Sequence, residues 1–170
     1  RIVVNLQGDE PLIPPENIDQ VVEPFLNESE LMVSTLKIRL NNGNDIFDPN
    51  VTKVVTDERG FALYFSRAPI PFDRLRWGQL WNGGTITKED AEAVPVYKHM
   101  GIYGFSKSFL MEFPRLPRSP LEDLERLEQL RILAHGIPIR VLEVQRDSIG
   151  VDCPEDMEKV EQWLNKQQTQ

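Results

Sequence analysis

Cysteine occurs once in these 170 residues, as Cys153, and histidine only twice. A single thiol closes no internal disulfide, and with two imidazoles it completes no zinc site unless carboxylates join it. A disulfide-stapled fold is excluded, and a reducing, cytoplasmic setting is expected. Long apolar runs are also missing. None approaches the roughly 20 residues that cross a bilayer, and the first residues lack the basic-then-apolar pattern of a secretory signal, so no membrane partner is expected. Basic charge is scarce: 19 Lys and Arg face 27 Asp and Glu, for a net charge of −8. That balance argues against a non-specific nucleic-acid surface and against a polybasic lipid-binding patch. An anionic ligand would have to be met by a local group of arginines or through a metal. Apolar residues, at 40%, suffice for one core, and the chain is read as a single domain, 1–170.

The stretch that organises the chain is Arg1-Ile2-Val3-Val4-Asn5-Leu6-Gln7-Gly8-Asp9-Glu10-Pro11. Three β-branched residues in a row predict a strand buried on both faces, as in the middle of a parallel sheet. Gly8 and Pro11 then stop it. Ligands in open α/β sheets sit beyond the carboxyl ends of strands, so Gln7, Asp9 and Glu10 fall where a site is expected. A carboxylate there can hold a hard divalent cation, or Asp9 can simply cap a polar turn. A chain that opens at Arg1 inside a core strand is expected to be a fragment, because such a strand needs neighbours on both sides.

Pro14-Pro15-Glu16 starts a helix, with proline in the first turn and an acid beside the positive end of the dipole. Ile18, Val21, Val22 and Phe25 make its apolar face. Residues 32–38 read as a strand, Asn42-Gly43 as a turn, and residues 51–65 as a hairpin turning at Asp57-Glu58-Arg59-Gly60. The hairpin delivers Ser66-Arg67 to an extended Pro69-Ile70-Pro71 arm. A stiff spacer between Arg67 and Arg74 fits recognition of a carboxylate or phosphate, although two arginines near a turn are commonly just solvated. Residues 75–95 form a long excursion in which Trp77 and Trp81 read as exposed.

Residues 96–105 are the next strand, with His99, Gly101 and Tyr103 on one face and Met100, Ile102 and Gly104 on the other. His99 and Tyr103 make a polar pocket wall, or His99 is a structural residue. Ser119-Pro120-Leu121-Glu122 is a capping box opening a helix expected to run to about His135, where Gly136 ends it. Leu121, Leu124, Leu127 and Ile132 are expected to face the core, while Glu122, Glu125, Glu128 and Gln129 on the same helix default to a solvated face. Residues 139–144 are a further strand. Asp152 precedes a helix from Pro154 that is expected to turn Met157, Val160, Trp163 and Leu164 inward. Asp152 caps that helix or, paired with Asp9, is half of a metal clamp.

Five segments resemble, in order, those of the 3-deoxy-manno-octulosonate cytidylyltransferase family. They are Asn5-Leu6-Gln7-Gly8-Asp9-Glu10-Pro11, Phe65-Ser66-Arg67-Ala68-Pro69-Ile70-Pro71, His99-Met100-Gly101-Ile102-Tyr103, Leu127-Glu128-Gln129-Leu130-Arg131 and Gly150-Val151-Asp152-Cys153-Pro154-Glu155-Asp156. Each is weak alone; in register over nearly the whole chain they are specific. The resemblance implies a three-layer, Rossmann-like α/β fold of the nucleotide-diphospho-sugar transferase kind. Its sheet would be mixed and mainly parallel, with a hairpin and dimerisation subregion at roughly residues 48–105 of a homodimer. The implied activity is Mg2+-dependent transfer of CMP from CTP to the acidic eight-carbon sugar 3-deoxy-manno-octulosonate, releasing pyrophosphate, for lipopolysaccharide synthesis.

By the same resemblance, Asp9 and Asp152 match the catalytic, metal-binding carboxylates. Gln7, Arg67, His99, Tyr103, Glu128 and Gln129 match sugar-acid contacts, and Arg74 matches a further basic residue near them. Phe105-Ser106 stands where the family commonly carries Tyr-Arg, Cys153 replaces a usual Thr, and the excursion before Val96 is longer than usual. Family members begin with a strand and a glycine-containing, basic nucleotide-binding loop that is not among these residues. An N-terminally truncated chain that holds the sugar and metal part and is inactive alone is therefore expected. The alternatives are a cytidylyltransferase for sialic acid or an amino-substituted octulosonate, a metal-dependent glycosyltransferase, and a non-catalytic binding domain. A glycosyltransferase would usually show an Asp-x-Asp pair, which Asp9-Glu10 does not supply.

Overall fold

The computed structural model describes residues 1–8, 10–78, 87, 89–90, 93–148, 151, 157 and 160–161. The amino-terminal half runs β1 (Ile2–Asn5), α1 (Pro15–Val22), α2 (Pro24–Asn27), β2 (Val33–Arg39), α3 (Gly43–Phe47), β3 (Lys53–Thr56) and β4 (Ala62–Ser66). Then come β5 (Tyr97–Ser106), α4 (Lys107–Glu112), a 3-10 turn (Phe113–Arg115), α5 (Pro120–Glu125), α6 (Gln129–Ala134) and β6 (Ile139–Glu143). Among the described residues no helix is long and apolar enough to cross a membrane.

The strands form one six-stranded sheet in the order β4-β3-β5-β2-β6, with β1 also paired to β5. β5 is its axis. β2 runs along one edge of β5, while the other edge is shared by β1, opposite Tyr103 to Ser106, and β3, opposite Lys98. The sheet is mixed, as expected, with less parallel pairing than the sequence suggested: only β2 with β6 pairs that way among the described residues. The tight turn between β3 and β4 makes that pair antiparallel, and β5 runs antiparallel to β1, β2 and β3 across longer connections. The expectation that β1 is buried on both faces is corrected. Ile2, Val3 and Val4 are half-buried, because β5 is the one strand paired with β1 among the described residues.

Side chains alternate across this frame to build two cores. On one face Val33, Val54, Phe65, Tyr103 and Phe105 pack with Phe109 of α4 and with Leu130 and Ile132 of α6. On the other, Leu36, Met100 and Ile102 meet Val21 of α1. Burying a side chain such as Ile102, which has no exposed area, contributes roughly 1.5–3 kcal/mol. The hairpin turns where Asp57 Oδ1 accepts from the Arg59 and Phe61 backbone N–H groups at 2.9 and 2.8 Å and Gly60 takes φ +82°.

Four local readings are corrected. Asn42-Gly43 is not an isolated turn: Asn42 accepts from the Asn44 N–H at 3.1 Å and caps α3. Trp77 is fully buried, edge-on to Phe47 at 5.3 Å and Phe72 at 5.9 Å, in a small core with Leu40, Ile46, Val94 and Val96. Trp81 lies outside the described residues. The helix expected from Pro120 to His135 is two helices, because Arg126 adopts the left-handed conformation (φ 56°, ψ 44°) and ends α5. That break turns Leu121 and Leu124 outward while Leu127 and Ile132 stay buried, and it buries Glu122 and Gln129. Met157 is exposed and Val160 half-buried; Pro154, Trp163 and Leu164 lie outside the described residues.

The serine half of the predicted capping box and the glycine stop both form. Ser119 Oγ accepts from the Glu122 N–H at 3.1 Å. His135 Nδ1 lies 2.8 Å from the Arg131 carbonyl, and Gly136 at φ +72° closes α6. Glu122, instead of returning to Ser119, reaches across the break and accepts two hydrogen bonds from the Arg131 guanidinium.

Candidate active site

The site grows from β5. His99, Gly101 and Tyr103 share its face, as the alternation predicted, and that face lies where β1 and β3 part along the strand's edge. His99 is buried, with Phe65 edge-on at 4.9 Å and the Tyr103 ring at 5.4 Å. Its Nε2 lies 2.9 Å from Thr35 Oγ1. Burial, and secondarily the charge of Lys98, lowers its pKa to about 3, so the ring is neutral at physiological pH. Tyr103 is also buried; burial and then the Glu128 carboxylate push its phenol well above the usual tyrosine range, so it stays a hydrogen-bonding hydroxyl.

The turn after β1 folds over the same face. Glu10 N–H donates to the Gln7 carbonyl at 3.2 Å, and both side chains cross Gly101. A methyl placed on Gly101 would stand 3.1 Å from Gln7 Cδ and Oε1 and 3.3 Å from Glu10 Oε1. Glu10 Oε2 accepts from Ser148 Oγ at 2.7 Å. This bond ties the residue after Asp9 to the residue four before Asp152. Asp9 and Asp152 themselves lie outside the described residues. Among the described residues no group of three or more His, Cys, Asp or Glu is placed to hold a metal.

Arg67 enters from the end of β4 and is held on several sides. Its backbone N–H donates to Glu125 Oε2 at 2.9 Å, its Nε to the Glu125 carbonyl at 2.8 Å and its Nη1 to the Pro49 carbonyl at 2.9 Å. Ser66 Oγ donates to the other Glu125 oxygen at 2.6 Å. Arg74 differs: it is exposed, in a short turn where Asp73 Oδ1 accepts from the Leu75 and Arg76 N–H groups. Glu128 and Gln129 open α6, Glu128 exposed and Gln129 buried.

Four residues that hold the site groups or their backbone in place were not singled out by sequence reasoning. Thr35 reads as an ordinary strand residue, and Ser148 as part of a connecting segment. Glu125 reads as a solvated acid, although it holds Ser66 and Arg67. Lys53 carried the one usable signal, since it shares the alternation phase of Val51 and Val55. It is fully buried, and its Nζ donates to the carbonyls of Asp48 at 2.8 Å, Arg67 at 2.6 Å and Val51.

The β5 face thus gathers a neutral imidazole, a phenol, an amide and a carboxylate from His99, Tyr103, Gln7 and Glu10, groups able to exchange hydrogen bonds with a polar ligand. Known proteins with related sequences have a consistent identity. The 3-deoxy-manno-octulosonate cytidylyltransferase of Geotalea uraniireducens (strain Rf4) is 45% identical over 165 residues, covering 97% of this chain and 64% of the relative. That of Trichlorobacter lovleyi is 47% identical over 168 residues, covering 97% of this chain and 64% of the relative. A solved structure of CMP:2-keto-3-deoxy-manno-octonic acid synthetase complexed with CTP matches with a TM-score of 0.83 at 36% identity, covering 98% of this chain and 62% of that one. The chain spans less than two thirds of the length of these relatives. A family model described as "Cytidylyltransferase" matches residues 1–143, and the chain belongs to that family.

Proposed function

We propose that this chain is the sugar-acid-binding part of an enzyme that transfers CMP from CTP to 3-deoxy-manno-octulosonate, releasing pyrophosphate and supplying CMP-Kdo for lipopolysaccharide synthesis. The observation that carries the reading is the β5 face itself, where Gln7 and Glu10 close over Gly101 beside His99 and Tyr103. His99, Tyr103, Gln7 and Gln129 would take the sugar's hydroxyls, and Arg67 its carboxylate, with Glu125 fixing the guanidinium. Glu128, exposed near Tyr103, would accept from a further hydroxyl, and Arg74 would add positive charge at the rim.

Asp9 and Asp152 would hold magnesium, an ion that takes one or two carboxylates and keeps the rest of its shell for water and phosphate oxygens. The Glu10–Ser148 bond supports that fit, because it joins the residue that follows Asp9 in sequence to one four positions ahead of Asp152. When bound, the metal supplies neutralisation of phosphate charge and a lowered pKa for the attacking hydroxyl. The chain's own residues orient the sugar so that this hydroxyl faces the nucleotide. A homodimer formed through residues 48–105 and a cytoplasmic location belong to the same reading.

The test is pyrophosphate release with CTP and magnesium, offering 3-deoxy-manno-octulosonate or sialic acid, on the longer protein that contains these residues and on its Asp9→Ala form. Release that needs the octulosonate and disappears in the variant is expected; release with sialic acid instead would replace the substrate. The isolated 170 residues are expected to bind the octulosonate without turnover, so product formation by them alone would refute the division of labour.

A further inference from the structure

Thr35 has the most constrained hydroxyl near the site. It is fully buried on β2, at the point where the register with β5 slips: Thr35 pairs with Tyr103 but Leu36 with Met100, leaving Gly101 and Ile102 without partners on β2. Its Oγ1 stands 2.7 Å from the Ile102 carbonyl oxygen, 3.2 Å from that of Met100 and 2.9 Å from His99 Nε2. A carbonyl oxygen carries no hydrogen, so an approach of 2.7 Å between two oxygens requires the hydroxyl proton between them. Thr35 has no second proton. Toward His99 it presents a lone pair, and Nε2 must therefore carry the imidazole's hydrogen. The acceptor of that neutral ring is then Nδ1.

We infer that Thr35 is a positioning residue whose hydroxyl, bonded into the bulge of β5, holds His99 as the Nε2–H tautomer, so that the ring meets a ligand as a hydrogen-bond acceptor at Nδ1. Such a group suits a sugar hydroxyl and not a carboxylate, which falls to donors elsewhere on the face. The tautomer follows from β2 and β5 alone; the sugar hydroxyl rests on the function proposed above.

The chain has two histidines, and His135→Gln leaves His99 as the only imidazole. A long-range proton–nitrogen correlation spectrum of the 15N-labelled variant is expected to show a protonated Nε2 and a bare Nδ1. A protonated Nδ1 would overturn the inference without any further variant. Thr35→Ser, which keeps the oxygen, is expected to preserve the pattern. Thr35→Val, which keeps the shape and loses the oxygen, is expected to move much of the population to Nδ1–H; an unchanged Nε2–H ring in folded Thr35→Val would also sink it. If the valine variant does not fold, the parent and serine spectra still decide.

Adding 3-deoxy-manno-octulosonate is expected to shift the Nδ1 resonance of the parent. Its Kd should rise about tenfold in Thr35→Val, the loss of roughly one hydrogen bond, and stay within about twofold in Thr35→Ser. Sugar binding that leaves Nδ1 unmoved would overturn the acceptor role. No sugar binding by the parent would refute the sugar-acid reading while the tautomer result stands.

Discussion

At the scale of single residues, His99 and Lys53 are both ionisable, both buried and both fixed by oxygen atoms. Their consequences differ. His99 has a folded pKa near 3, well below the 6.5 of an exposed imidazole, so between these values the unfolded chain binds the proton and the folded chain does not. Its contribution is fully present above about pH 6.5 and is lost as pH falls toward 3. The chain is expected to be roughly 2 kcal/mol less stable at pH 5 than at pH 7.5 through this group alone. Denaturant titrations at the two pH values check it: His99→Gln should flatten the difference, and equal slopes in parent and variant would contradict the assignment. Burial also lowers the Lys53 pKa, with Asp48 and Glu125 opposing and Arg67 adding to the shift. Lys53→Met removes the donor from three carbonyl oxygens at once and is expected to cost about 2–4 kcal/mol, read from the urea midpoint. A loss below about 0.5 kcal/mol would mean that water replaces the amine.

At the scale of elements, the break between α5 and α6 is the feature that periodicity could not reveal. The sequence from Pro120 to His135 has a good start, a good stop and no glycine or proline between them. Local propensity therefore favours one helix. Tertiary pairing decides otherwise: Glu125 turns to Ser66 and Arg67, in a segment distant in sequence, and Glu122 pairs with Arg131 across the break. The cost sits at Arg126, a non-glycine residue at φ 56°. Arg126→Gly relieves that conformation, worth roughly 1–2 kcal/mol, while adding entropy to the unfolded chain. A net gain of about 0.5–1 kcal/mol is expected in thermal or urea unfolding. Destabilisation by the same amount would show that the arginine side chain makes up for its backbone.

At the scale of the whole molecule, what the sequence made legible is the period-two pattern. It placed β2, β5, β6 and the hairpin, and it put His99, Gly101 and Tyr103 on one face. Glu125, Thr35 and Lys53 stayed hidden because their roles depend on carbonyls and hydroxyls brought in from other elements. Trp77 was misjudged because its covering core is assembled by α3 and the segment before β5. The glycines of β5 show how one strand serves both packing and site. At Gly104 an added methyl would meet Ser34 Oγ at 2.6 Å, the Phe25 ring at 2.8 Å and the Val21 carbonyl, which is backbone, at 2.9 Å. At Gly101, on the opposite face, it would meet only the ends of Gln7 and Glu10 among its nearest neighbours, at 3.1 to 3.3 Å, and those can swing aside. Gly104→Ala is therefore expected to push α1 off the sheet and cost about 2 kcal/mol or more, in the range of core overpacking. Gly101→Ala is expected to leave the unfolding midpoint within about 0.5 kcal/mol of the parent. On the function proposed above, displacing Gln7 and Glu10 should nevertheless weaken 3-deoxy-manno-octulosonate binding about tenfold or more, the loss of one or two hydrogen bonds. Calorimetric titration alongside thermal unfolding separates the two effects. Sugar binding unchanged in Gly101→Ala would place the ligand away from the β5 face, while stability losses of equal size in both variants would mean that this face, too, is packing.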